Sequence, residues 1–151
     1  MAKIISFRNQ LKKLKRIGVD SSIFIYKFEQ NKKYESLCSV VFERLSDNKL
    51  KIITSIITPA EVLTKPIELK DQKVVELYET VFSKLPNFEL IELNYTMAKQ
   101  AAGLRARYKI LLPDALQLAA CLQNNAQAFL TNDNKLKRVK DLLIICLKDY
   151  A

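Results

Sequence analysis

Histidine and tryptophan are both missing from the 151 residues. Without histidine there is no Ser-His-Asp or Cys-His catalysis, no two-histidine zinc motif and no facial-triad iron site. Any demanding chemistry must run on carboxylates, hydroxyls, Lys/Arg, Cys or a bound metal. Glycine occurs twice and proline four times, which leaves few tight turns and favours a helix-rich chain over an all-β one. The three cysteines, Cys38, Cys121 and Cys146, form no CxxC pair and sit among apolar neighbours. That excludes a disulfide framework or zinc knuckle and reads as small core hydrophobes in a reducing compartment. The longest apolar run, Leu142 to Leu147, is too short to span a bilayer. The basic N-terminus lacks the apolar stretch of a secretory signal. A soluble, cytoplasmic chain with no membrane association is expected.

What is present is a single domain's worth of residues, 49% apolar and 27% charged, with a net charge of +9. Six basic residues (Lys3, Arg8, Lys12, Lys13, Lys15 and Arg16) precede the first acid, Asp20. We read residues 1–15 as a basic N-terminal arm and 16–151 as the globular domain. Leu11, Leu14 and Ile17 would also suit a short amphipathic helix. Two further basic clusters flank acids: Arg105, Arg107 and Lys109 before Asp114, and Lys135, Lys137, Arg138 and Lys140 after Asp133. One such cluster alone is ordinary solvated surface. Cations beside carboxylates are what a nuclease needs, the first for phosphates and the second for a metal. The residues expected to meet nucleic-acid phosphates are Arg105, Arg107, Lys135, Lys137 and Arg138.

Hydrophobic periodicity alternates between strand and helix. Short apolar strands are expected at Arg16–Val19, Lys51–Thr54, Phe88–Ile91, Ala128–Leu130 and Leu142–Leu147. Helices are expected after Ser21 and Ser22, which offer an N-cap, and over Tyr34–Leu45, Leu69–Leu85, Asn94–Tyr108 and Pro113–Asn124. Thr58-Pro59-Ala60-Glu61 reads as a capping box with proline at the first helical position. The aromatics Phe24, Tyr26 and Phe28 read as core. This alternation implies an α/β fold, with a parallel sheet of about five strands covered on both faces. In such sheets function gathers at the carboxyl ends of the strands.

Four acids fall there. Asp20 ends the first strand, Glu61 lies in the first turn of a helix, Asp114 opens another, and Asp133 follows the fourth strand. Glu61 alone reads equally as a capping residue, Asp114 as a match to the helix dipole, and Asp133 as a turn residue. Asp20, at the end of an apolar strand, has no such structural explanation. If the four converge, their repulsion calls for divalent cations with hard oxygen ligands, Mg²⁺ or Mn²⁺. Such a centre orients and activates water for attack on a phosphodiester.

The order and wording of these segments resemble the PIN-domain ribonucleases, and in size the VapC toxins of toxin–antitoxin pairs. The segments are Val19-Asp20-Ser21-Ser22-Ile23-Phe24-Ile25, Thr58-Pro59-Ala60-Glu61-Val62-Leu63, Leu112-Pro113-Asp114-Ala115-Leu116-Gln117-Leu118 and Leu130-Thr131-Asn132-Asp133-Asn134. The resemblance runs from Arg16 onward. It implies a three-layer α/β/α domain and a Mg²⁺- or Mn²⁺-dependent endoribonuclease with Asp20, Glu61, Asp114 and Asp133 as catalytic and metal-binding acids. It implies supporting hydroxyls at Ser22 and Thr131, an RNA substrate, a cognate antitoxin and a homodimer. Asn125-Ala126 stands where a glycine commonly follows the third motif's helix, and Leu136 replaces the usual aromatic after the fourth. A non-catalytic RNA- or protein-binding module on the same fold would lose one or more acids, and all four are present. An aspartyl phosphatase needs a second aspartate two residues after the first, where Ser22 stands.

Overall fold

The computed structural model describes residues 2–151. Five short strands, β1 (Arg16–Val19), β2 (Lys51–Ser55), β3 (Phe88–Ile91), β4 (Ala128–Thr131) and β5 (Leu143–Cys146), form one sheet in the order β3-β2-β1-β4-β5. Every pairing is parallel, with Ile17 opposite Ile52 on one side and Ala128 on the other. The expected α/β architecture is therefore present. Helices α1 (Ala2–Lys12), α2 (Ser21–Phe28), α3 (Glu35–Ser46), α4 (Ile57–Glu68), α5 (Gln72–Lys84), α6 (Tyr95–Tyr108) and α7 (Leu112–Gln123) cover it. Among the described residues, no helix is long and apolar enough to cross a membrane.

Strand side chains alternate between the two faces, so the sheet feeds two cores. Ile17, Val19, Ile52 and Leu130 pack into one with Phe7, Phe24, Val41 and Tyr78. Ile53 and Phe129 pack into the other with Leu104, Leu118 and Cys121. In the first core Phe24 is fully buried, its ring 5.7 to 6.4 Å from those of Phe28, Phe42, Phe82 and Phe88. All three cysteines are free and buried.

The basic N-terminal stretch is helical over Ala2–Lys12 and packs on the first core, Phe7 and Leu11 being fully buried. The Phe7 ring lies 5.1 Å from that of Tyr150, tilted by 55° to it.

Local signals were displaced in three places. Asp20, not Ser21 or Ser22, caps α2, its side chain accepting from Ser21 N. Thr58 is no N-cap: α4 begins at Ile57, and Thr58 lies inside it, fully buried, bonded to Thr54 and Gln117. Ser55 Oγ receives the Ile57 N–H instead. The capping-box spacing of Thr58 and Glu61 is thus one turn of helix with a tertiary purpose. The helix expected from Leu69 starts at Gln72, because Asp71 caps it by accepting from Val74 N.

The connectivity places the site. From β1 the chain moves outward through β2 to β3, then crosses back to β4 and β5 on the other side. The order reverses between β1 and β4, and that switch point opens a crevice at the strand carboxyl ends. Helix α7 runs down the sheet antiparallel to the strands. Its Gln117 meets Ser55 at the end of β2, Cys121 lies against Gly18 in β1, and the Asn124 carbonyl accepts from Arg16 Nε at 2.7 Å. Its N-terminus, with Asp114, therefore reaches the crevice.

Candidate active site

Asp20 lies where β1 leaves the sheet. Its backbone N–H still pairs with the Leu130 carbonyl at 2.9 Å, so the strand ladder fixes its position. One carboxylate oxygen accepts from Ser21 N at 2.8 Å and the other from Thr131 Oγ1 at 2.6 Å. The Thr131 hydroxyl also accepts from the backbone N–H of Asp133 at 3.1 Å, and Asp133 in turn accepts from Lys135 N at 2.9 Å. Thr131 thus fastens two acids from the two strands of the switch point to each other. Its hydroxyl both donates and accepts, consistent with its complete burial.

The four acids feel one another. Burial, followed by the charges of Asp20, Asp133 and Glu61, pushes the half-buried Asp114 carboxyl up to about 6. Burial raises Asp20 as well, opposed by the hydrogen bond from Thr131 and reinforced by the charge of Asp133. Glu61, more exposed, is raised by partial burial and by Asp20, with the Ser21 hydroxyl pulling the other way. The structure brings all four into one electrostatic neighbourhood. Among the described residues, none of the four has an ion-pair partner.

That donor set, hard carboxylate oxygens with no compensating cation, fits Mg²⁺ or Mn²⁺. Among the described residues no three acidic or thiol side chains are drawn in tightly enough to hold one ion as they stand. Thiols play no part here: burial pushes Cys38 up to about 12 and raises Cys121 too.

A cleft of about 210 Å³ opens beside Asp114 and Asp133, walled by Lys109, Leu136, Lys135 and Arg138. The five expected phosphate-binding cations separate here. Arg107 pairs with Asp141 at 3.1 Å and Lys137 with Asp149 at 2.7 Å. Arg138 reaches the cleft but donates to the carbonyls of Lys135 and Tyr108. Lys135 lines the cleft, and Arg105 is exposed on the last turn of α6. Ser22 Oγ is buried with no hydrogen-bond partner and bonds none of the four acids.

Three contributors were not among the expected site residues, although Lys109 stood in one of the basic clusters. Ser21 sits between Asp20 and Glu61, but the sequence offers it only as a helix cap. Lys109 lines the cleft from a left-handed turn (φ 57°) that ends α6. Gln117 is buried one turn below Asp114, hidden in an apolar helix stripe. The signal available for all three was proximity in sequence to a site acid.

A family model described as the PIN domain matches residues 17–142. Several solved structures are similar at low identity, three of them as follows. The VapBC2 complex of Rickettsia felis, bound to a promoter DNA fragment, aligns at 20% identity and a TM-score of 0.69, covering 87% of this chain and 98% of that one. VapBC-1 of nontypeable Haemophilus influenzae aligns at 19% and 0.63, covering 88% and 98%. VapC20 of Mycobacterium tuberculosis, described as a sarcin-ricin loop cleaving toxin, aligns at 16% and 0.59, covering 75% and 86%. Comparison with curated proteins gives no match.

Proposed function

The chain belongs to the PIN-domain family, and from the acids at its switch point we propose that it is a metal-dependent endoribonuclease, the toxin of a type II toxin–antitoxin pair. The observation that carries this reading is the gathering of Asp20, Glu61, Asp114 and Asp133 in one neighbourhood without a paired cation, beside a cleft walled by basic residues. Toxin–antitoxin assemblies among the similar structures support the biological setting.

In this mechanism the four acids would hold one or two Mg²⁺ or Mn²⁺ ions, and the metal would supply polarisation of the phosphodiester and a lowered pKa for an attacking water. Asp20 would be the anchored ligand, oriented by Ser21 N and Thr131. Asp114 and Asp133 face the cleft, where RNA phosphates enter. Lys135 and Lys109 hold those phosphates electrostatically, with no base readout. Arg105 extends the same field, while Arg107, Lys137 and Arg138 shape the wall through their own partners. Thr131 serves as a supporting hydroxyl through its bond to Asp20, whereas Ser22, expected in the same role, bonds none of the acids. Residues 16–151 make up the nuclease domain, and the basic stretch 1–15, helical over Ala2–Lys12, is an addition to it.

The exposed Leu111 and Leu112 beside the cleft, with Ile56, Ile67 and Leu69, supply apolar surface for a cognate antitoxin or a second copy of the chain. The protein acts in the cytoplasm as a homodimer.

The test is cleavage of a mixed tRNA and rRNA pool with Mg²⁺, Mn²⁺ or chelator, comparing wild type with Asp20→Asn. Discrete metal-dependent fragments that the variant does not produce are the expected result. RNA binding without cleavage, equal in both proteins, overturns the nuclease and leaves a binding module.

A further inference from the structure

Beneath the acids runs a buried chain of polar groups. Ser55 N donates to Gln117 Oε1 at 3.0 Å, and Gln117 Nε2 donates to Thr58 Oγ1 at 2.7 Å. Thr54 Oγ1 donates to the Val19 carbonyl at 2.8 Å, which uses its only proton. Thr58 must therefore donate to Thr54 across the 2.5 Å contact between their hydroxyls. The direction is fixed throughout, and Thr54, Ser55, Thr58 and Gln117 are all fully or almost fully buried. Both ends of the Gln117 amide are committed, a rigid arrangement that an aliphatic side chain cannot reproduce.

Three members of this chain stand close in sequence to a site acid. Val19 precedes Asp20. Thr58 lies one helical turn before Glu61, and Gln117 one turn after Asp114. Residues three apart on a helix share a face. The chain therefore ties β1, β2, α4 and α7 together directly under three of the four carboxylates.

We infer that Gln117 is a positioning residue of the metal centre, holding α7 and α4 in register so that Asp114 and Glu61 face Asp20. This rests on the metal-nuclease reading. Repelling acids need such a brace before a cation arrives, because nothing in their own interaction holds them together. Outer-sphere partners of this kind usually change metal affinity about ten- to a hundred-fold when removed.

Mn²⁺ binding to the full chain, titrated by calorimetry, decides the matter alongside thermal unfolding. Gln117→Leu and Thr58→Val weaken Mn²⁺ binding about ten-fold or more, while Thr58→Ser, which keeps the hydroxyl, restores it. Val41→Ala, a cavity in the opposite core, lowers Tm without moving Mn²⁺ affinity. If Gln117→Leu does not fold, the contrast between Thr58→Val and Thr58→Ser carries the result. Wild-type Mn²⁺ affinity in folded Gln117→Leu or Thr58→Val overturns the positioning role and leaves the nuclease standing. A wild type that binds no Mn²⁺ and cuts no RNA overturns the nuclease itself.

Discussion

The hydroxyl of Thr131 lies 2.6 Å from a carboxylate oxygen of Asp20, across 111 residues of sequence. Through that contact the ends of β1 and β4 share one side chain. Thr131 also takes the Asp133 N–H, so a single oxygen sets the separation of two acids. It acts on Asp20 electrostatically as well, holding its carboxyl below where burial alone would put it.

Thr131→Val keeps the shape and removes this oxygen. It leaves the Asp133 N–H without its partner and the buried Asp20 with one donor fewer, at a cost of about 1–3 kcal/mol. RNA cleavage falls at least ten-fold, while Thr131→Ser stays near wild type. Parallel cleavage assays and denaturant melts check both halves. Equal cleavage by the valine and serine variants would remove Thr131 from the site.

Asp114 yields a prediction of opposite sign for stability and activity. Its carboxyl titrates at about 6 in the folded protein, against about 4 in an unfolded chain. Between those values the folded state binds more protons than the unfolded state. In chelator, stability therefore falls as pH rises from about 4 to about 6 and stays lower above that. Solvent screening at this half-buried group keeps the effect to a few degrees of Tm. Asp114→Asn raises Tm at pH 7 in chelator, flattens the slope and abolishes cleavage. Saturating Mn²⁺ stabilises the wild type alone. Identical Tm–pH profiles for the two proteins in chelator would show that Asp114 does not carry the repulsion.

Helix α7 approaches β1 so closely that a Cβ built on Gly18 would lie 2.0 Å from Cys121 Sγ. Gly18→Ala should destabilise by about 1–3 kcal/mol through overpacking. Cys121→Ala costs something alone but recovers part of that loss in the double variant. A double-mutant cycle from denaturant melts measures the coupling, and additive effects would mean that the two positions do not meet.

The sheet was readable because buried parallel strands need continuous apolar runs, β-branched in Ile52–Thr54 and simply apolar in Ala128–Leu130. Asp20, Asp114 and Asp133 were readable because each sits at a strand end or in a first helical turn, whereas Glu61, expected in a first turn, lies in the second because α4 starts at Ile57. What stayed hidden depended on distant partners. Thr58 and Glu61 satisfy a local capping pattern, yet Thr58 is claimed by Gln117, 59 residues away. Gln117 itself interrupts an apolar stripe, and nothing local reveals that Ser55 N waits for it. The basic clusters looked uniform, but Arg107 and Lys137 are taken by Asp141 and Asp149, contacts that only the folded chain creates.

The place of β1 between β2 and β4 has a consequence for synthesis. Its inner neighbour β2 is made soon after it, but β4 ends at Thr131. At about 5–20 residues per second, the ribosome takes roughly 5–20 s to pass from Asp20 to Thr131. Throughout that interval the nascent chain has half a central strand exposed and no crevice. The activity proposed here therefore cannot begin on the ribosome that is building it until nearly the whole domain has emerged.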